Sequence, residues 1–282
     1  MKVQIIDTGL FKLDGGAMFG VVPKQLWARL NPPDEHNMCT WAMRCILIET
    51  EDRKILVDTG LGDKQDAKFR SHFEPHGDAD LLKSLAGKGY LPEDITDVFL
   101  THLHFDHVGG AVCFDENEQL VPTFPKATYW SNERHYNWAF DPNPREKASF
   151  LKENFVPLKD AGVLKFIPVT EEDYQWLPGI RIRFVYGHTE AMMMLFVDFG
   201  SETMVYCADL IPSSFHIGLP YVMSYDVRPL LTMQEKTRLL KEAVANDYVL
   251  FFEHDPKLAC ARLKTNDRGR VIIGDAVDIT TL

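Results

Sequence analysis

Short runs of apolar and β-branched residues recur along the chain, at Val3–Ile6, Cys45–Glu49, Lys54–Asp58, Asp97–Leu100, Ala127–Trp130, Val163–Val169, Ile180–Val185, Met193–Phe199, Thr203–Cys207, Tyr248–Glu253, Leu258–Leu263 and Val271–Ile273. Runs of this length bounded by turn residues predict strands. Phe199-Gly200-Ser201 and Asn266-Asp267-Arg268-Gly269 read as hairpin connections. Helical patterns are fewer. One covers Asp78–Ala86, with Leu81, Leu82 and Leu85 on one face and Gly87 as its stop, and another Ser131–Phe140. Asn143-Pro144-Arg145-Glu146 places proline at a first helical position, and Thr232-Met233-Gln234-Glu235 reads as a capping box ahead of Leu239, Leu240, Ala243 and Val244. Two batches of strands, each followed by helix, predict an α/β chain built as an αββα four-layer sandwich of two mixed sheets.

No repeat, low-complexity segment or Ser/Gly linker divides the sequence, so one domain over residues 1–282 is expected. At 282 residues and 45% hydrophobic content a large core is available. The balance of 30 basic and 41 acidic residues, a formal net charge of −11, excludes binding to nucleic acid or anionic membrane through a Lys/Arg surplus. The five cysteines, Cys39, Cys45, Cys113, Cys207 and Cys260, are odd in number and form no CxxC pair, which predicts reduced thiols. No apolar run approaches the ~18 residues of a membrane span, and the first residues lack the apolar region of a signal peptide, so a cytoplasmic location is expected.

The chemistry concentrates in one segment. The apolar run Asp97–Leu100 leads through Thr101 into His102, His104, Asp106 and His107, followed by Gly109 and Gly110. Imidazole nitrogen and carboxylate oxygen suit borderline-soft divalent cations, and alternation puts His102 and His104 on one side of an extended segment. Asp106 and His107 then turn toward a second position. Four ligands this close favour two adjacent metals over one.

This HxHxDH segment after an apolar strand resembles the signature of the metallo-β-lactamase superfamily. The resemblance extends over most of the chain. Asp58-Thr59-Gly60 is similar to the turn whose aspartate braces the metal loop. Gly187-His188-Thr189, the run Tyr206–Asp209 and the run Phe251–Asp255 resemble the later strand ends that supply ligands. The resemblance implies one metal held by His102, His104 and His188, a second held by Asp106, His107 and His254, and Asp209 bridging them. It also implies a metal-bridging hydroxide that attacks the substrate, with Asp106 or Asp209 moving its proton to the leaving group. The all-N/O set fits Zn²⁺, Fe²⁺ or Mn²⁺, and zinc is expected. The soft second site of some β-lactamases carries cysteine where Asp209 stands, and Cys207 reads as a core residue. One departure is that the common GHTPGH continues here as Glu190-Ala191-Met192 after Thr189.

Within the superfamily the layout is similar to the N-acyl homoserine lactone lactonase and methyl parathion hydrolase-like branches. Hydrolysis of a lactone or carboxylic ester is therefore expected, with phosphotriesters as promiscuous substrates. The glycine-rich stretch Leu13–Lys24 reads as a loop closing over an apolar ligand, and Ser213–Asp226 as a second wall. Phe19, His216, Tyr221 and Tyr225 are the candidate substrate contacts. A thioester hydrolase acting on glutathione adducts is an alternative and would use the charges of Arg262, Lys264, Arg268 and Arg270. A non-enzymatic metal sensor on the same fold is another. The partner is a small molecule, with neither nucleic acid nor membrane. Phe11, Phe19, Trp27 and Trp41 would serve equally as a homodimer patch. His36, His72, His76 and His135 read as solvent-facing or structural.

Overall fold

The computed structural model describes residues 1–281. They divide into two compact units, one formed by Met1–Leu10 with Met43–Val169 and the other by Phe11–Ala42 with Thr170–Leu282.

The first unit is organised on a six-stranded mixed sheet in the order Lys2–Asp14, Met38–Glu49, Lys54–Val57, Asp97–Phe99, Thr128–Ser131, Leu164–Phe166. The far ends of the first two strands, Phe11–Asp14 and Met38–Ala42, run into the second unit. Met38–Glu49 and Lys54–Val57 pair antiparallel, while Lys54–Val57 with Asp97–Phe99, Asp97–Phe99 with Thr128–Ser131, and Thr128–Ser131 with Leu164–Phe166 pair in parallel. Parallel strands are covered on both faces, which is why Ile55-Leu56-Val57 and Val98-Phe99 are continuous apolar runs without alternation. The core beside them gathers Leu47, Leu56, Val98, Leu103, Val108, Phe124, Tyr129, Phe155 and Leu158. Side-chain oxygens start three of its helices. Asp66 accepts from the Phe69 amide, Asp80 from Lys83 and Asn132 from His135, opening Ala67–Phe73, Leu81–Gly87 and Glu133–Phe140.

The second unit carries a seven-stranded sheet in the order Val271–Ala276, Cys260–Thr265, Val249–Phe251, Glu202–Tyr206, Met192–Phe199, Ile180–Val185, Tyr174–Leu177. Its one parallel pair among the described residues, Glu202–Tyr206 with Val249–Phe251, makes this sheet mixed as well. The registers Val185↔Met192, Leu195↔Tyr206 and Tyr206↔Phe251 bring the C-terminal ends of three strands to one end of the sheet. Each of those strands stops three residues before a predicted ligand, His188, Asp209 or His254.

The α/β class and the two mixed sheets are as the sequence predicts, and each of the twelve predicted runs contains a strand. The small hairpin Val112–Phe114 with Leu120–Pro122 and the strand Tyr174–Leu177 carry too little apolar alternation to be read in advance. Two helix starts differ. Asn143-Pro144 opens no helix, because the Asn143 side chain accepts from the Arg145 and Glu146 amides at 2.9 and 3.2 Å and closes a turn. The helix expected at Thr232 starts at Pro229 and runs to Ala245, so the apparent capping box lies inside it. All five cysteines are free, and among the described residues no helix is long and apolar enough to cross a membrane.

Within the stretch Leu13–Lys24 the part up to Phe19 is packed, while Val21, Pro23 and Lys24 are exposed. Asp14 accepts from the Ala17 amide at 2.7 Å and caps the short helix Gly15–Phe19. Phe19 is fully buried and stacks on Trp27 at 5.2 Å. Glycine at position 15 is dictated by this contact, since a Cβ there would lie 2.4 Å from the Trp27 ring. Gly15→Ala is expected to destabilise the chain by about 1–3 kcal/mol through overpacking. Urea denaturation followed by tryptophan fluorescence reads the change, and an unshifted midpoint would contradict this packing.

Candidate metal centre

In the first unit the site is built on Asp58. This residue ends the strand Lys54–Val57 at φ 58°, an uncommon left-handed conformation for aspartate that turns its carboxylate inward. Its Oδ1 accepts from the Thr101 amide at 2.8 Å, and its Oδ2 accepts from the Thr101 hydroxyl at 2.7 Å and from His107 Nδ1 at 3.1 Å. The Thr59 amide donates to the His107 carbonyl at 2.7 Å and the Gly110 amide to the Gly60 carbonyl at 3.1 Å. Gly109 permits this approach, because a Cβ on it would fall 1.9 Å from the Leu61 carbonyl oxygen. Lys64, whose ammonium burial depresses to a pKa of about 8, donates to the Gly109 carbonyl.

The loop so braced holds His102, His104, Asp106 and His107 buried. Thr101 Oγ1 gives its proton to Asp58 and lies 3.1 Å from His102 Nδ1, so that nitrogen is the donor and Nε2 carries the lone pair. His102 Nε2 lies 3.1 Å from His104 Nδ1, while His104 Nε2 lies 3.8 Å from the Glu146 carboxylate. His107 commits Nδ1 to Asp58 and keeps Nε2 3.8 Å from Asp106 Oδ2. His135 is not a surface residue. It is fully buried, and its Nε2 accepts from the Leu103 amide at 2.9 Å between the two ligand positions.

The second unit repeats the logic with other elements. His188 Nδ1 donates to Asp226 Oδ1 at 2.7 Å, and His254 Nδ1 donates to the Ala42 carbonyl at 2.7 Å. Both rings therefore present Nε2, and Asp209 receives them, with Oδ2 3.2 Å from His188 and Oδ1 3.1 Å from His254. Ala208, at φ 44°, makes the turn that delivers Asp209 from the end of its strand.

At His102, His107, His188 and His254 one ring nitrogen is taken by a hydroxyl, a carboxylate or a backbone carbonyl, and the other is turned toward a neighbouring imidazole or carboxylate. Outer partners of this kind orient metal-ligating histidines. Opposed lone pairs buried away from water repel unless a cation or proton lies between them. The donor set is nitrogen and carboxylate oxygen without sulfur, which fits divalent cations of the zinc, iron and manganese type. Cys207, two residues before Asp209, is fully buried and its thiol pKa is pushed up by burial, so it belongs to the core.

The predicted substrate contacts are placed unevenly. His216 is buried against Phe19, ring centroids 5.0 Å apart, with Nδ1 2.7 Å from the Ser213 hydroxyl and Nε2 2.9 Å from the Met18 carbonyl. Both of its nitrogens are used inside the fold, as is the fully buried Phe19 ring. Tyr221 stands edge-on to Phe19 at 6.1 Å, and both Tyr221 and Tyr225 remain half-buried. Arg262, counted among the charges for a glutathione carboxylate, is engaged by Glu202 and Asp247 at 2.7 and 3.0 Å. Asp226, Glu146 and Lys64 were not singled out from the sequence. Isolated charged residues distant from the motifs give no signal there.

Replacing Asp226 by Ala is expected to weaken metal binding by about 10–100-fold, read by competition with a chromophoric chelator, because His188 loses the partner that fixes its tautomer. Burial lowers the His216 pKa to about 3, so the ring stays neutral in the fold while the unfolded ring protonates near the ordinary imidazole value of 6.5. Its contribution to stability is present above that ordinary value and is lost as pH falls toward the folded pKa. Its ring proton resonances are expected to stay fixed between about pH 8 and 5.

Comparison with known proteins agrees with this geometry. The family model described as the metallo-beta-lactamase superfamily matches residues 44–254. An N-acyl homoserine lactonase of Bacillus thuringiensis is 26% identical over 242 residues, covering 80% of this chain and 85% of its own. Among solved structures, a probable metal-dependent hydrolase from Staphylococcus aureus superposes with a TM-score of 0.84 at 26% identity over 98% of each chain. AidC, a dizinc quorum-quenching lactonase in complex with a product, superposes with a TM-score of 0.78 at 20% identity, over 98% of this chain and 94% of its own. The strand-end histidine and aspartate clusters, the Asp58 brace and a family match running from the second strand to His254 lead to one conclusion: the chain belongs to the metallo-β-lactamase superfamily.

Proposed function

We propose that this metal-dependent hydrolase cleaves a lactone or a carboxylic ester at a dinuclear centre and turns over phosphotriesters as promiscuous substrates. The observation that carries the reading is the fixed tautomer of the histidines, with outer nitrogens bound to protein acceptors and inner nitrogens left to a cation. The lactonase named among its relatives, and AidC and its product complex among the fold neighbours, support the substrate class.

In this reading His102, His104 and His188 would hold one divalent cation and Asp106, His107 and His254 another, and Asp209 would serve both. Zinc is the expected metal. When bound, such cations make hydroxide available near neutral pH and polarise the substrate carbonyl. The chain's own residues do the rest. Asp209, with one oxygen toward His188 and the other toward His254, and Asp106 are the carboxylates placed to take the nucleophile's proton and return it to the leaving alkoxide. Asp58 and Asp226 hold the His107 and His188 rings in one orientation and tautomer through the cycle. The half-buried rings of Tyr221 and Tyr225 are the substrate contacts retained from the sequence, while Phe19 and His216 support the wall from inside.

Elemental analysis of protein purified without added metal is expected to find about two equivalents per chain. Chelation is expected to abolish hydrolysis in a panel of a short- and a long-chain lactone, an aryl ester and a phosphotriester. Asp209→Asn is expected to lose turnover together with part of the metal. A fully loaded and active Asp209→Asn protein would refute the role given to this carboxylate. Full metal loading with no hydrolysis anywhere in the panel would refute the substrate class.

A further inference from the structure

The helix Pro229–Ala245 carries two consecutive charged residues whose side chains both turn inward, Glu235 and the 1%-exposed Lys236. Successive residues on an α-helix point about 100° apart, so neighbours of opposite charge serve two different surroundings.

Glu235 reaches the turn that precedes His188. Its Oε1 accepts from the Tyr186 amide at 2.7 Å and its Oε2 from the Gly187 amide at 3.0 Å. The residues before the helix complete the grip. The Arg228 amide donates to the Gly187 carbonyl at 2.9 Å, the Val227 amide to the His188 carbonyl at 3.1 Å, and the Arg228 guanidinium to the Tyr186 carbonyl and Glu190. The turn lies directly on the helix, for a Cβ at Gly187 would come within 2.3 Å of the Thr232 amide nitrogen. This is the segment where the sequence departs from the GHTPGH pattern, and the Glu190–Arg228 ion pair at 2.6 Å occupies that departure.

Lys236 serves the other segment. Its ammonium donates to the carbonyls of His216, Gly218 and Tyr221 at 2.8, 2.9 and 2.8 Å. Three carbonyls satisfy the three donors of an ammonium, which is what permits a cation at this depth. The 216–221 loop is thereby drawn to the helix from inside, and the same stretch of chain continues to Asp226, the partner of His188.

We propose that Glu235 and Lys236 are positioning residues with separate duties: Glu235 sets the turn that presents His188 to the metal, and Lys236 sets the 216–221 loop as a substrate wall. One helical turn thus governs metal retention and substrate fit as independent quantities. The substrate half of this inference rests on the function proposed above, and the metal half does not.

The test compares Glu235→Gln and Lys236→Met with wild type in three readouts: zinc affinity by chelator competition, amide hydrogen exchange, and the separation of KM from kcat on the best lactone. Glu235→Gln places an amide N–H against one of two backbone donors. It is expected to lower zinc affinity about tenfold and speed exchange at residues 186–188, with KM within about twofold of wild type. Lys236→Met leaves three buried carbonyls without their donor. It is expected to leave zinc affinity unchanged, speed exchange across residues 216–221, and raise KM about five- to tenfold at similar kcat. Glu235→Asp and Lys236→Arg are the milder substitutions should either variant fail to fold, and each is expected to move the same readout less. Unchanged zinc affinity and exchange in the Glu235 variants would overturn the proposal. So would unchanged exchange at 216–221 in the Lys236 variants, or a loss of zinc affinity shared equally by both. If no lactone or ester is turned over, the functional reading falls, while zinc affinity and exchange still decide the positioning roles.

Discussion

In the first unit the cluster of His102, His104, Asp106 and His107 depends on one buried carboxylate. Asp58 has no solvent exposure, and a carboxylate at that depth is tolerated only when hydrogen bonds replace its water. It has those of the Thr101 amide, the Thr101 hydroxyl and His107 Nδ1. The parallel register Val57↔Phe99 brings these donors into reach, since Asp58 and Thr101 stand just beyond the paired residues. Strand pairing and ligand orientation are therefore one constraint. A slip of the register by one residue would strand the carboxylate and release the His107 tautomer together.

The second unit solves the same problem with different groups. Asp226 and a backbone carbonyl replace Asp58 as acceptors, and a helix replaces the strand register as the element that holds the turns. Each unit orders its imidazoles through partners on the protein side. Buried polar groups of this kind are costly when left incomplete, which explains why Glu235, Lys64 and His135 hydrogen-bond to backbone groups around the turns that bear the candidate ligands, and why Lys236 does so in the 216–221 loop.

What was legible in the sequence is what rests on local pattern. Apolar runs marked the strands, and the density of His102, His104, Asp106 and His107 at a strand end marked the chemistry without reference to tertiary contact. Glu235 shows where local pattern misleads. Its spacing from Thr232 mimics a capping box, but Pro229 starts the helix one turn earlier and the carboxylate is turned to the 186–187 amides instead. The glycines near Phe19 mislead similarly, because Gly15 is required by contact with Trp27, which composition cannot distinguish from the needs of a mobile loop.

By itself the sequence determined the α/β class, the strand ends that carry the candidate histidines and aspartates, and the nitrogen-and-oxygen character of that candidate set, because each follows from residue type and spacing along the chain. Only the tertiary structure decided which nitrogen of each imidazole is offered, that His135 and His216 are spent inside the fold, and that Asp226 rather than a motif residue governs His188. Those outcomes depend on which group from a distant segment lies within about 3 Å, the range of a hydrogen bond, and no spacing along the chain encodes that distance.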